Sequence, residues 1–512
     1  MIALLALACT GPEAEPAGGV DPAFVLTRAS LDLRGRRPDA AELAAVTQTP
    51  GTLETRLDTF LLDPAFGERV QDVFDEATLT RSELYLQDPD LFGISDDDAF
   101  YAAVGGEIPQ IIGRIAEQDL PWTEAVTGDW TMANEVLAEL WALDYPEGAS
   151  GWRVAHYTDG RPAAGILSTN SFYWRYDSTL SNANRKRANA IARLFVCNDF
   201  IGQPILFDDS VDVSDPDSFA EAVRTVPGCV GCHAALDPVA AHLFGFFYHF
   251  QQNPGDANAY HPEREVYWTT FLGVGPGFFG QESGDVSDLG WHLAADPRFP
   301  DCAVEHVWRG LLRRDPTLAD TDALSAHREA FLTGDLTLRA LWRSILDDPR
   351  YRADDVVGTV AVKLVTPRLL ASQVEALTGY RLTLEGVDAM MSDRSGVRTL
   401  AGGLDGFEGT LRTRSPNPTL VLVQQRLAEA AAAHAVAQDP MGLLRGVDLD
   451  SPPEADDLEA LHIAVLSQTP TEAELDALAD LWDALYGLDD DPRAAWAGVL
   501  TALMRDPAFL LY

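Results

Sequence analysis

The sequence predicts a mostly α, multidomain protein built of helical hairpins and bundles, with minor β structure. Three observations point there. Apolar residues recur at helical spacing, as in 186–197, where Ile191, Leu194 and Phe195 stand at i, i+3 and i+4. Long alternating patterns of the kind a strand needs are scarce. A loose repeat pairs a Pro-initiated helix with an Asp-Pro-x-aromatic ending. The chain has 512 residues, of which 46% are hydrophobic. That is enough for ordinary cores and for roughly two to four domains.

The segments follow in order. Residues 1–20 open with Met-Ile-Ala-Leu-Leu-Ala-Leu-Ala-Cys9, a short apolar run that reads as an export signal and not as a span. Cys9 after Leu-Ala resembles a bacterial lipoprotein cleavage site, which would make it the lipidated residue, with 10–20 as a Pro/Gly tether. No basic residue precedes the run, a departure from the usual signal.

Residues 21–150 read as an N-terminal helical domain, 151–300 as a central domain, 301–360 as a further helical domain and 361–512 as a C-terminal helical domain. The repeat appears three times. Arg36-Arg-Pro-Asp-Ala-Ala-Glu-Leu43 leads to Asp63-Pro-Ala-Phe66, and Gln468-Thr-Pro-Thr-Glu-Ala-Glu-Leu475 leads to Asp506-Pro-Ala-Phe509. Between them Arg314-Asp-Pro-Thr317 leads to Asp348-Pro-Arg-Tyr351, without the Glu-Leu pair. Proline sits where its missing N–H costs little, an acidic residue sits in the favourable half of the helix dipole, and Asp-Pro stops the helix. These units read as structural helical hairpins. Residues 425–437 are an Ala-rich helix, and 260–272 a candidate β-hairpin. The glycine-rich stretch 273–284 lacks the Gly-Lys-Ser/Thr ending of a phosphate loop; it reads as close backbone approach, with Phe278 and Phe279 as apolar contacts. The acidic stretch 208–217 lacks the Gly and Glu of a calcium loop and reads as a solvated linker.

The formal charge of −42, from 79 acids against 37 bases, excludes a nucleic-acid partner, which needs clustered Lys and Arg. It equally disfavours a basic helix on a membrane surface, and it reads either as an ordinary solvated acidic surface or as a surface that attracts a basic partner protein over long range. Any membrane association would run only through the N-terminal lipid.

Chemistry concentrates at Cys229-Val-Gly-Cys232-His233. Two cysteines three apart, with histidine next, are what covalent haem c requires: thioethers to both sulfurs and the imidazole of His233 as proximal iron ligand. Random placement of 5 Cys and 10 His gives roughly one such run per thousand chains of this composition. One covalent haem is therefore expected. The run Val239–Phe250 supplies apolar wall material, and Arg185, Lys186 and Arg187 are either propionate donors or an ordinary solvent-facing helix start. A distal ligand approaches the opposite face from the neighbours His242 and His249, which favours His292, Met390 or Met391; an open sixth position is the alternative. The same cysteines admit two rivals, a zinc site completed by Cys302 or a distant His and a redox dithiol. In an oxidising compartment Cys197 and Cys302 are expected to pair around this segment, against the alternative of two buried thiols.

The stretch Cys229-Val-Gly-Cys-His-Ala-Ala-Leu-Asp-Pro238 resembles the Cys-x-x-Cys-His-x-x-Leu/Met-Asp-Pro signature of the planctomycete-type cytochrome c proteins, large exported proteins with a cytochrome-c-like haem segment. Leu31–Pro38, Phe66-Gly-Glu-Arg69, Asp129-Trp-Thr-Met-Ala-Asn134, Ala164-Gly-Ile-Leu-Ser168, Asn184–Arg187, Phe299-Pro-Asp-Cys302 and Leu311-Leu-Arg-Arg314 resemble that group in the same order, over about 23–351. Val239-Ala-Ala-His-Leu-Phe-Gly245 departs from it, and 361–512 lies outside the likeness. The resemblance implies haem c and an exported bacterial setting, periplasmic or as an outer-membrane lipoprotein, but no reaction.

The expected function is electron transfer to a redox partner protein within a periplasmic or cell-surface assembly. The alternatives are a haem-dependent oxidoreductase acting on a small substrate and a non-enzymatic zinc-binding surface protein. No hydrolase triad, zinc-protease helix or dinucleotide fingerprint occurs.

Overall fold

Helix caps and Pro-initiated turns set the architecture. In the computed structural model the described residues are 21–203, 212, 215–248, 254–353 and 362–512. The leader with Cys9, most of the acidic stretch and His249 lie outside them. Of the described residues 60% are helical and 4% are in strands or bridges.

Helix α1 (Pro22–Arg34) begins with Pro22 in its first turn and the Asp21 carboxylate accepting from Ala23 N–H, and it ends at Gly35 in the left-handed region (φ 69°). Asp39 and Glu42 form a capping box for α2 (Ala40–Gln48). Helix α3 (Leu53–Phe60) completes the first hairpin, and α4 (Phe66–Thr78) pairs with the long α5 (Asp97–Glu117). Helices α6 (Arg185–Phe195), α7 (Pro216–Thr225) and α8 (Pro227–Ala241) form the central part, followed by α9 (Val286–Ala295) and α10 (Arg298–Leu312).

The other two repeats are the hairpins α11 (Thr321–Thr333) with α12 (Leu338–Leu346), and, beyond α13 (Pro367–Thr378), α14 (Pro418–Gln438) and α15 (Ala455–Leu466), α16 (Glu472–Asp489) with α17 (Pro492–Arg505). The Asp-Pro endings do more than stop a helix. Asp63 accepts from Ala65 N–H at 2.9 Å, Asp348 from Arg350 N–H at 2.7 Å and Asp506 from Ala508 N–H at 2.7 Å, so each begins a new turn. That turn drives Phe66, Tyr351 and Phe509 into the interior, each 1% exposed.

Among the described residues the strands form three two-stranded antiparallel ribbons. β1 (Thr131–Ala133) pairs with β2 (Arg153–Ala155), β3 (Gly277–Phe278) with β4 (Gln281–Glu282), and β5 (Thr383–Leu384) with β6 (Val387–Asp388). The hairpin expected at 260–272 is instead a 3-10 helix, Pro262–Tyr267, running into a helical turn, Trp268–Phe271. Pro262 starts the helical turn and removes a ladder donor. The ribbon falls in the glycine-rich stretch, where a Cβ on Gly277 would stand 2.9 Å from Gln281 O.

One apolar core takes side chains from all three of the segments 21–150, 151–300 and 301–360, from Val25 to Tyr351. A second belongs to 361–512 and is entered from α1 by Leu31. A buried ionic seam joins the two. Asp72 accepts from Arg69 (3.0 Å), Arg412 (2.9 Å) and Thr366 Oγ1 (2.8 Å). Burial works against this carboxylate, but the surrounding guanidiniums outweigh it and hold its pKa far below the usual range.

Candidate functional site

Helix α8 carries the Cys-x-x-Cys-His run. Pro227 occupies its first turn. At 100° per residue, Cys229, Cys232, Leu236 and Val239 share one stripe. Leu236 and Val239 anchor it in the first core, at 7% and 6% exposure, while both cysteines are partly buried, unpaired thiols. The turn between them is open: a Cβ on Gly231 would meet nothing within 4 Å.

His233 lies one step round the helix. Its Nδ1 is 2.9 Å from Oδ1 of Asp237, one turn on. Asp237 is in turn gripped from α6 by Arg185, Nε to Oδ1 at 2.7 Å and Nη2 to Oδ2 at 2.8 Å. Burial pushes the Asp237 carboxyl up, but the Arg185 and His233 hydrogen bonds outweigh it and keep its pKa below the ordinary value. An ionised carboxylate only accepts, so Nδ1–H donates to Asp237 and in the neutral ring Nε2 carries the free lone pair.

Each residue of the Leu-Asp-Pro extension thus has its own contact. Leu236 enters the core, Asp237 orients the imidazole, and Pro238 lies against Gly277 of β3, within 3.5 Å of where its Cβ would stand. Beyond them Ala235, Leu236 and Val239 share a narrow apolar crevice with Ile191 of α6, Phe278 of β3 and Leu293 of α9.

This donor set fits haem c. Covalent attachment needs two free thiols on one helix face, and ligation needs an imidazole with one nitrogen held and the other free. Cys229, Cys232 and His233 do not converge as a tetrahedral metal site does. Among the described residues the one group of three metal-type ligand atoms within 4.8 Å of one another is Cys197, Cys302 and His306. Thioether arms reach the edge of a macrocycle and only the imidazole reaches its centre, so that separation suits a porphyrin. The crevice is too narrow to enclose a porphyrin within the described residues.

Cys197, at the end of α6, and Cys302, in α10, are joined by a disulfide with Cα atoms 5.2 Å apart. Cys302 is therefore not spare for a zinc site. His306 lies against the bridge, with Nε2 donating to Leu194 O at 3.0 Å; burial pulls its pKa down to about 4.

The distal candidates scatter. His292 on α9 stacks on Phe278 with ring centroids 6.0 Å apart, beside the C-terminal half of α8. Met390, 1% exposed, is packed in the second core, and the Met391 thioether accepts from Arg368 Nη1 at 3.1 Å. Both methionines belong to the 361–512 segment, whereas α8 packs on α6, α7 and β3. His242 is buried against Ser283, and burial pulls its pKa down to about 4.

The basic cluster is neither a set of free propionate donors nor a solvent-facing helix start. Arg185 is spent on Asp237, Lys186 pairs with Asp177, and Arg187, fully buried, donates to the carbonyls of Tyr173, Tyr176 and Phe246. Phe244, Phe246 and Phe247 pack inside the first core. Asp237 as the partner of His233 was detectable as an i, i+4 carboxylate; its clamp by Arg185, 52 residues away, had no local signal.

No helix among the described residues is long and apolar enough to cross a membrane. Comparison of the chain with protein-family models, with curated proteins and with solved structures finds no match in any of the three.

Proposed function

We propose that this chain is an exported c-type haem protein that passes single electrons to a partner protein. The observation that carries the reading is the turn of α8 holding two unpaired thiols and an imidazole whose Nδ1 is fixed by Asp237 and, through it, by Arg185. Haem, when bound, supplies an iron that alternates between two oxidation states. The protein's own residues do the rest. Cys229 and Cys232 tether the ring edge, and His233 offers Nε2. Asp237 holds the imidazole in that tautomer and makes it a stronger donor, while Arg185 keeps Asp237 ionised and in place. The Cys197–Cys302 disulfide supports an oxidising compartment, and with it the export reading of residues 1–20 and lipidation at Cys9. The charge of −42 supports a basic docking face on the partner.

The test is expression of the full chain with a haem-attachment system in an oxidising compartment. The expected product keeps its colour through acid–acetone extraction and carries one haem mass on the peptide containing residues 229–233. Cys229→Ser should lose one thioether, and Cys229→Ser with Cys232→Ser all covalent haem. A colourless wild-type protein, or haem retained by the double variant, would sink the proposal. Carbon monoxide binding to the reduced protein would reveal an open sixth position and move the reading toward an oxidoreductase.

A further inference from the structure

A second concave site, sharing no lining residue with the α8 crevice, lies on the seam between α5 and the 361–512 segment. It is a cavity of about 400 Å³. Three guanidiniums, Arg81, Arg368 and Arg398, line it in a chain that is otherwise strongly acidic.

Two of them are committed. Arg398 pairs with Glu83 at 2.9 Å and donates to Leu404 O at 2.9 Å. Arg81 donates to Gln71 Oε1 at 2.6 Å and faces Asp75 at 4.0 Å, yet its buried Nη1 has no hydrogen-bond acceptor. Arg368 is different. Among the described residues its direct hydrogen bonds go to no carboxylate, and Asp75 and Asp72 act on its charge only from a distance. Its Nη1 rests on the Met391 thioether at 3.1 Å and its Nη2 on Met391 O at 3.4 Å. A thioether is a weak acceptor, so most of this fork's donor capacity is unspent.

The acids at the rim do not fill that need. Glu83 is taken by Arg398, Asp98 by Arg394 at 2.7 Å, and Asp388 accepts from the Met390 and Met391 amides at 2.9 and 3.2 Å. The same cavity is also lined by two aromatic side chains. Tyr101 lines it, and Trp152 lies on α5 where Gly106 has no side chain; a Cβ there would stand 2.6 Å from the indole.

We infer that this cavity binds a small organic monoanion, a carboxylate on a flat apolar body, with Arg368 taking the carboxylate and Tyr101 and Trp152 facing the ring. A guanidinium fork whose near contacts are a thioether and one carbonyl can take a single carboxylate in two parallel hydrogen bonds, and the rim carboxylates repel a dianion such as phosphate more strongly than a monoanion. The size falls in the ordinary range for small-molecule sites. This site stands independently of haem attachment.

Titration calorimetry of the full chain with benzoate and with inorganic phosphate tests it. Expected are saturable one-to-one binding of benzoate, at least tenfold weaker binding of phosphate, and at least a tenfold loss of benzoate affinity in Arg368→Met. Ala102→Glu, at an exposed position on the cavity wall, adds a repelling charge without touching a core and should give a similar loss. Absence of saturable benzoate binding in the wild type, phosphate binding tighter than benzoate, or wild-type benzoate affinity in Ala102→Glu would each overturn the inference. The last of these decides the matter even if Arg368→Met fails to fold.

Discussion

Asp32 accepts a hydrogen bond from the hydroxyl of Tyr512, 480 positions further along the chain, at 2.8 Å. The same carboxylate takes the Tyr351 hydroxyl at 2.7 Å and the Lys363 ammonium, so helix α1, the end of the first core and the end of the second converge on one buried group. Burial pulls the Lys363 amine down to about 7, against the attraction of Asp32. Asp32→Ala leaves a buried amine and two buried phenols without their acceptor. The expected cost is about 3–5 kcal/mol, the usual penalty for halving a buried pair. Urea unfolding followed by tryptophan fluorescence measures it; a loss under about 1 kcal/mol would mean the cluster carries little of the contact between the two cores.

If the chain carries haem as proposed, Asp237→Asn should shift its potential, and it should also cost some stability because Arg185 loses its counter-charge. The amide keeps the size but is a weaker acceptor for His233 Nδ1–H, so the imidazole donates less to the iron and the reduced state gains. A roughly tenfold change in the Fe(III)/Fe(II) balance is expected, about 60 mV upward for one electron. A redox titration of the purified holoprotein reads it, and an unchanged or lowered potential contradicts the role assigned to Asp237.

The Cys197–Cys302 bridge closes a loop across a separation of 105 residues. Cys197→Ser with Cys302→Ser should lower stability by about 2–4 kcal/mol while leaving haem attachment at 229 and 232 intact. Denaturant midpoints and haem stoichiometry, measured together, separate those two effects.

Acid should weaken the fold through His306. Its folded pKa, about 4, lies below the ordinary 6.5, so the unfolded chain binds the proton more readily. The stability it contributes is full above about pH 6.5 and is lost as the pH falls toward 4, amounting to about 2 kcal/mol between pH 7.5 and 5. His306→Gln should flatten that part of the pH profile. A variant with the wild-type slope between pH 7.5 and 5 would remove His306 from the acid response.

The helical class was legible because its signals are local. Asp39 and Glu42 announce a capping box three residues apart, and Asp506-Pro507 announces a cap followed by a buried aromatic. The motif at 229–233 was legible for the same reason. The stretch 260–272 misled because its aromatic and β-branched residues satisfy either structure, and Pro262 with the packing of Phe271 on Phe244 decides for helical turns. The clustered bases at 185–187 misled in a second way. Their fates are set by Asp237, Asp177 and the Tyr173, Tyr176 and Phe246 carbonyls, partners that only the tertiary fold brings within reach.

Among the described residues there are four cysteine sulfurs, and the bridge between α6 and α10 occupies two of them. In an oxidising compartment a crossed pairing would consume a sulfur that the proposed haem attachment requires. If the chain matures as proposed, locking positions 197 and 302 to each other keeps both of those sulfurs out of crossed pairings, so oxidation of one couple would protect the reactivity of the pair at 229 and 232.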